Sequence, residues 1–340
     1  MSTTSQVTTF ADLYTELQNR VRADTSQSAG IVQAKRAINV ALQDLHLGQD
    51  YRFAWAERNA RLIVRAQYST GTVTATKGST TLTGTSTVWT TADAFGIANA
   101  RANGKILVAG STTPYIVSSV GGAGTITLTG AFTETTVTDG TYVYYEDEYA
   151  LASDFLRPVD VQQFSTEANI PLIGRTEFRR QFPTNRSPST RIAVACIVDA
   201  APSGNTTPIR RVRFAPPPST AMTIPYAYIT GNLATSSAGV AAANLSADTD
   251  EPIVPLRYRH AIVFHALYHY YRDKKDDSRS QEAKAEYTDI LLRIMADSEV
   301  GSPRPQIQPR MSGYARSAKR PYSGAGARRF DMGRWDNMGE

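Results

Sequence analysis

The sequence predicts an α+β protein: a helical bundle, built from helix pairs at the N- and C-terminal ends, carries inserted antiparallel β modules and a disordered basic C-terminal tail. Three observations predict this architecture. Apolar residues recur at helical spacing near both ends of the 340-residue chain. A threonine- and glycine-rich stretch with period-two alternation lies between them. From residue 301 onward, Pro, Gly, Arg and Ser dominate and apolar periodicity is lost.

Residues 1–67 are predicted to form the N-terminal helical part of the core. Thr9 and Asp12 have the spacing of a capping box, in which two backbone donors at a helix start are satisfied reciprocally. Apolar residues at three- and four-residue spacing follow on one helix face: Phe10, Leu13, Leu17 and Val21. After a polar gap at 24–30, a second apolar stripe runs over residues 31–45. The two stripes predict an αα-hairpin.

Residues 68–147 are predicted to form a small β-barrel or sandwich. Between residues 68 and 141 there are 21 Thr and 11 Gly but only six charged residues, and threonine alternates with apolar residues at 72–76 and 125–129. A surface that faces DNA needs cations to offset phosphate charge. The cations available in this module are Lys77, Arg101 and Lys105, so we expect a peripheral module or a contact to a neighbour.

Residues 148–251 are predicted as a second β-rich segment, with its clearest strands at 192–198, 209–214 and 222–229 and an exposed loop at 231–250. Helical spacing returns at 252–300 on both sides of a charged turn. This C-terminal helix pair is predicted to complete the core with the N-terminal pair, because each apolar stripe needs a partner to be buried.

Three histidines lie on the first of these C-terminal helices. His265 and His269 are four residues apart, as metal ligands on one helix face are, but Ala266 stands where a metalloprotease motif has Glu. His260 faces another side of the helix. We therefore expect the rings to fill the bundle or a subunit interface, and we predict no metal ligand and no cofactor.

Other candidate catalytic groups are equally sparse. Cys196 lies in an apolar strand, where an inert buried thiol is expected. Four acids, which a solvated loop would explain, cluster near the junction of the two β regions: Glu146, Asp147, Glu148 and Asp154. No nucleophile motif or phosphate-binding loop is present, so we predict that the protein is not an enzyme and has no catalytic residues.

The net charge of the chain resides in residues 301–340, which hold eight basic and three acidic residues, whereas the other 300 residues hold 28 of each. We predict that this extended tail is a docking arm, with cations for attraction and spaced aromatic residues as anchors. The alternative is a tail that only confers solubility. The candidate contact residues of this arm, toward an acidic protein or DNA, are Arg304, Arg310, Tyr314, Arg316, Lys319, Arg320, Tyr322, Arg328, Arg329, Phe330 and Trp335.

Three stretches carry a family resemblance: the aromatic segment at 51–55 that follows the helical hairpin, the threonine-rich block at 71–90, and the C-terminal helix pair at 255–297. The β module closes at 149–155, where Ala152 replaces the proline that the family pattern favours. In these stretches and in the order of its parts, the chain resembles bacteriophage head-to-tail adaptor (connector) proteins.

The resemblance implies a structural virion protein of the phage neck, made in the host cytoplasm. It implies a homo-oligomeric ring, usually a dodecamer, with genomic DNA passing non-specifically through its channel. The implied partners are the portal protein on one side and a tail tube or nozzle protein on the other, with no membrane involved. Two alternatives remain: another neck or tail component, such as a tail completion or fibre-attachment protein, and a non-specific DNA-binding protein. The charge balance of the body disfavours the latter.

Overall fold

The computed structural model describes residues 7–21, 28–47, 53–159, 164–165, 169–200 and 209–300. These residues divide into two compact units. The helical unit takes its residues from both ends of the chain, up to Ala54 and from Leu245 onward, together with Thr235–Val240. The β unit comprises Trp55–Ala234 and Ala241–Asn244.

Five helices are present among the described residues, and none of them is long and apolar enough to cross a bilayer. They are α1 (Phe10–Val21), α2 (Ser28–Leu47), α3 (Arg175–Gln181), α4 (His260–Asp273) and α5 (Asp277–Val300). The predicted helical hairpins at both ends are confirmed. At the start of α1 the capping box is formed, because Thr9 N donates to Asp12 Oδ2 at 2.9 Å and Asp12 N donates to Thr9 Oγ1 at 3.3 Å.

Helix α4 lies at the centre of the helical unit and packs against α1, α2 and α5. Its residues Ile262, Val263 and Ala266 are completely buried. The apolar stripes of α1 and α2 are buried as well, with Leu17 and Ile38 inaccessible to solvent. The first and last helices of the chain therefore share one core.

A buried arginine fastens the N-terminal segment to the chain that precedes α4. Arg259 is only 7% exposed. Its guanidinium donates to the backbone oxygens of Val254 at 3.0 Å and Pro252 at 3.2 Å, to Glu251 Oε2 at 3.0 Å, and to the carbonyl of Thr8. Five N–H donors in a fixed fork allow one side chain to satisfy several buried carbonyls at once.

The segment at 231–250, predicted to be an exposed loop, is exposed only in part. Leu233 and Ala234 are buried near its start, and its second half is partly built into the helical unit. Leu245 and Asp250 are buried. Asn39 exchanges two hydrogen bonds with the backbone of Leu245, at 3.0 and 3.1 Å, and Lys35 pairs with Asp248 at 2.6 Å. These contacts come from α2, which local sequence around 231–250 does not reveal.

Eighteen strands are present among the described residues. They are β1 (Glu57–Val64), β2 (Thr72–Ala75), β3 (Thr81–Thr85), β4 (Lys105–Val108), β5 (Tyr115–Gly122), β6 (Thr125–Leu128), β7 (Val137–Gly140), β8 (Tyr142–Tyr145), β9 (Glu148–Ala150), β10 (Phe155–Pro158), β11 (Phe164–Ser165), β12 (Asn169–Ile170), β13 (Val194–Ala200), β14 (Ile209–Ala215), β15 (Met222–Thr230), β16 (Ala234–Thr235), β17 (Ala241–Ala242) and β18 (Glu251–Pro252).

A seven-stranded antiparallel half-barrel dominates the β unit, with strand order β7-β2-β3-β6-β5-β4-β8. Alternate residues of its strands point inward, so that Val73, Leu82 and Ile126 are fully buried while neighbouring threonines face solvent. Trp89 fills the interior and donates its indole N–H to the hydroxyl of Tyr142 at 3.0 Å. The unit also contains two three-stranded sheets, with orders β1-β15-β10 and β13-β14-β9, and a two-stranded sheet of β11 and β12.

The predicted fold class, a helical bundle with inserted β modules, is wrong. The protein is a mixed structure in which the half-barrel is a major body, and strands extend well into the part predicted to be helical. Strand β1 pairs along its whole length with β15, from Glu57 opposite Ile229 to Val64 opposite Met222. An apolar stripe with helical spacing can be recognised within one segment of the sequence, whereas a ladder between distant segments cannot. The helical part of the fold was therefore overestimated from the sequence.

Asp147 joins the half-barrel to the sheet that contains β14. Its carboxylate is 1% exposed and its Oδ2 accepts from Lys105 Nζ at 2.6 Å, Arg213 Nε at 2.9 Å and Asn185 Nδ2 at 2.9 Å. Lys105 belongs to β4 and Arg213 to β14, so one buried charge fixes two sheets. A buried carboxylate is tolerated only when cations and hydrogen bonds surround it.

We predict that Asp147→Asn lowers the free energy of unfolding by about 3 kcal/mol, because Lys105 and Arg213 lose the charge that neutralises them. Urea unfolding of the full chain, followed by tryptophan fluorescence, measures the change. Asp139→Asn is the matched control, since Asp139 is exposed on β7 of the same half-barrel. This substitution should leave the free energy of unfolding within about 0.5 kcal/mol of the parent value. Equal effects of the two substitutions would contradict the role of Asp147.

Candidate functional site

The predicted contact residues of the tail, from Arg304 to Trp335, lie outside the residues that the structure describes. Their assignment to portal or DNA contacts stays a prediction. Among the described residues, the groups with potential chemistry are the histidines of α4, the acids between the two β regions, and Cys196. Each is placed by the fold in a definite environment.

Two of the three α4 histidines meet a carboxylate from α2. The rings of His265 and His269 lie 4.7 Å apart and are 8% and 5% exposed. Asp44 Oδ2 is 2.9 Å from His269 Nε2 and 3.9 Å from His265 Nε2. His260 is not part of this group. Sequence reasoning found the two histidines but missed Asp44, which is more than two hundred residues away and carries no local signal.

The histidine rings are held by aromatic packing inside the helical unit. His265 stacks on Tyr287 of α5 with ring centroids 4.1 Å apart and planes inclined by 12°. Tyr268 covers the other flank, with centroids 6.0 Å from His265 and 5.1 Å from His269. The rings thus fill the interior of the bundle, as the sequence predicts, and their positions are fixed by neighbours on two helices.

Both histidines are neutral at neutral pH. Burial lowers the pKa of His265 to about 4, and the neighbouring His269 acts in the same direction. Burial also lowers the pKa of His269, against the opposing effect of the Asp44 carboxylate. Arg272 lies 3.2 Å from His269 Nδ1 and donates to it, which leaves the proton on Nε2, the ring atom that lies 2.9 Å from Asp44 Oδ2.

A cleft of about 370 Å³ lies beside His269, between α2 and the C-terminal end of α4. Three cations line it, Arg36, Arg272 and Lys274, against one acid, Asp273. The cleft gives solvent ions and small ligands access to the edge of the histidine pair.

The clustered acids do not form a catalytic pair, and the prediction of a solvated loop is wrong for two of them. Glu146 and Asp147 are 6% and 1% exposed. Glu146 binds the guanidinium of Arg101 and accepts from the hydroxyl of Tyr144 at 2.9 Å. Because Arg101 is bound to Glu146 and Lys105 to Asp147, two of the three cations of the threonine-rich module are already neutralised.

The remaining candidates, Asp154 and Cys196, are engaged in hydrogen bonding and packing. Asp154 accepts from the hydroxyls of Tyr228 at 2.8 Å and Thr230 at 2.6 Å, so it anchors β15 to the segment before β10. Cys196 is buried in β13, and burial raises the pKa of its thiol. A thiol that stays protonated is a poor nucleophile, in agreement with the inert role predicted from the sequence.

We predict that the free energy of unfolding, measured by urea titration in the presence of a chelator, falls as the pH decreases from about 6.5 toward 4. In this window an unfolded His265 is protonated and the folded one is not, so protons favour the unfolded state. The loss contributed by His265 should reach about 3 kcal/mol near pH 4 and be absent above pH 6.5. His265→Gln should flatten this dependence and His260→Gln should not. The same slope in all three proteins would contradict the assignment.

No curated protein matches the chain. The family model described as SU10 adaptor protein matches residues 123–309. The matched stretch begins just before β6 and includes both C-terminal helices. It also contains every strand of the sheets β1-β15-β10 and β13-β14-β9 except β1. The resemblance to phage head-to-tail adaptors that the sequence motifs predict is thereby confirmed. Because the matched stretch is more than half of the 340-residue chain, the protein belongs to the SU10 adaptor protein family of phage adaptor proteins.

Proposed function

We propose that this protein is a head-to-tail adaptor that assembles into a ring beneath the portal, joins the capsid to the tail and lets the genome pass. The observation that carries the proposal is the family match over 123–309, which includes strands of the β unit and the two C-terminal helices. A structural role agrees with the chemistry of the described residues, whose buried acids and thiol are engaged in packing and ion pairs.

The surface of α5 supports ring assembly. One face of this helix is buried against α4 through Ala283, Tyr287 and Leu291. A second stripe, at three- and four-residue spacing, faces solvent: Gln281, Ala285, Thr288 and Leu292. Together with the charged residues Lys284 and Asp289 it lines a shallow groove. Leu292 is 60% exposed. Small residues flanking an exposed leucine suit close packing against a second helical surface.

We assign this stripe to the contact with the next copy of the chain. A contact between different surfaces of neighbouring subunits is heterologous, and such contacts close into rings when the rotation between subunits permits. The charge distribution agrees with a channel that DNA crosses without being held. The chain outside 301–340 carries as many acidic as basic residues, and strong DNA retention requires a surplus of cations.

We predict that the purified protein, alone or mixed with its portal protein, forms rings visible in negative-stain images. Leu292→Asp should abolish these rings or reduce their yield at least about tenfold, because each subunit contact would bury an unpaired carboxylate. Native mass spectrometry measures the oligomer distribution. Val240→Asp is the matched control, since Val240 is 64% exposed on a loop far from α5 in sequence. Absence of any ring with or without portal, in the parent protein, would refute the proposed assembly.

A second prediction concerns the tail, which we propose as the docking arm for the portal. Replacing the spaced aromatic residues Tyr314, Tyr322, Phe330 and Trp335 by Ser should weaken portal binding while the circular dichroism spectrum stays unchanged. A chain truncated after Val300 should behave likewise. If charge alone matters, the serine variant should bind as the parent does, and replacing Arg316, Lys319 and Arg320 by Ser should weaken binding instead. Undiminished portal binding by the truncated chain would exclude a docking role.

A further inference from the structure

We propose that Asp44, His265 and His269 bind a divalent transition-metal ion, with Zn²⁺ as the preferred metal, and that the ion fastens α2 to α4. The inference is independent of ring formation and portal binding. The spacing in the sequence places the two histidines together. The fold brings a carboxylate to them, that of Asp44 on α2. The three residues offer one ligand atom each, and these atoms all lie within 4.8 Å of one another.

The three ligand atoms, which lie within 4.8 Å of one another, have to close around a metal ion for it to bind. In a tetrahedral zinc site with bonds near 2.0–2.2 Å, ligand atoms are separated by about 3.3 Å. Asp44 Oδ2 lies 2.9 Å from His269 Nε2 and 3.9 Å from His265 Nε2, on either side of this value. The two histidines are four residues apart on α4, a spacing that places both imidazoles on one face of a helix.

The donor set is chemically suited to zinc. Two imidazoles and one carboxylate are ligands that Zn²⁺ binds well, and neutral imidazole is the form that binds. Both imidazoles are buried, 8% and 5% exposed, so few water molecules have to be displaced from them when an ion binds. The Asp44 side chain is 50% exposed, so it can move toward the ion, and water can reach the fourth position. The cleft beside His269 provides access from solvent.

The cations that line the cleft, Arg36, Arg272 and Lys274, oppose the approach of a divalent cation, and Arg272 also contacts a proposed ligand directly. It donates to His269 Nδ1 at 3.2 Å and so favours the tautomer whose Nε2 carries the proton. Binding requires that this proton move to Nδ1 and that Arg272 turn away from the ring. Its guanidinium already lies 5.3 Å from the centroid of the Tyr268 ring, which offers an alternative contact. Removing Arg272 should therefore tighten the site, an effect opposite to that of removing a ligand.

The test is a titration of the full chain, stripped of metal with a chelator, with Zn²⁺ and with Co²⁺. We expect one equivalent of Zn²⁺ per chain by isothermal calorimetry, and visible d–d absorption when Co²⁺ binds. Asp44→Asn, His265→Gln and His269→Gln should each weaken Zn²⁺ binding at least about tenfold. Arg272→Ala should bind at least as tightly as the parent. His260→Gln is the matched control, because this histidine is on the same helix outside the group, and it should bind as the parent does.

The proposal is overturned if the parent chain binds no stoichiometric Zn²⁺, or if the ligand variants bind as tightly as the parent. X-ray absorption at the zinc edge on the loaded parent protein requires no variant and covers the case in which a substitution prevents folding. Two imidazole ligands and oxygen donors in the first coordination sphere support the site. A sphere with one imidazole, or of oxygen alone, would place the ion elsewhere and overturn the assignment.

Discussion

The antiparallel ladder between β1 and β15 joins segments that are more than 150 residues apart, with Glu57 opposite Ile229 and Val64 opposite Met222. This ladder fixes the points at which the chain starts and finishes the β unit, because its two strands are the first and the last long strands of that unit. Closing so long a loop costs chain entropy, although this cost grows only slowly with loop length. The hydrogen bonds of eight paired positions and the burial of Leu62 and Ile224 offset the cost. The half-barrel lies within this loop.

Charged groups are placed in the interior of the β unit in matched sets. Asp147 is bound by Lys105 and Arg213, and Glu146 by Arg101. Arg65, 5% exposed, pairs with Asp93 at 3.2 Å. A buried ion pair is weak evidence for net stability, but loss of one partner is costly. The pairs of Asp147 therefore determine how the half-barrel packs against the sheet that contains β14. Ion pairing also leaves few free charges on the threonine-coated surface of the half-barrel.

The helical unit shows a different use of polar groups. Its central helix α4 carries histidines and tyrosines where a simple bundle has aliphatic residues, and His265 is stacked between Tyr287 and Tyr268. Arg259 holds the N-terminal segment at the start of the same helix. The segment before α1 and helix α5 are thus bound to the start and the middle of α4 through specific polar and aromatic contacts. Such contacts fix the register of packing more sharply than apolar burial does.

The sequence by itself determined the parts whose signals are local. Helical spacing placed all four helices of the helical unit, and the spacing of Thr9 and Asp12 predicted the capping box. Alternation of threonine with apolar residues predicted two strands of the half-barrel, β2 and β6. The sequence also allowed the family to be recognised from short stretches such as 149–155, which lies within the matched residues 123–309. Side-chain periodicity is a property of a single segment, so it survives without knowledge of the fold.

Tertiary structure alone decided the rest, because those features depend on residues that meet only after folding. The β1–β15 ladder turned a region predicted to be helical into a sheet, and the proportions of the fold changed with it. The sequence predicted that Asp147 lies in a solvated acidic loop, whereas in the folded protein Lys105 and Arg213 bind its carboxylate. Asp44 had no motif, yet it completes a three-residue group with His265 and His269. Long-range pairing and the burial of charge are properties of the folded chain, and no local pattern in the sequence encodes them.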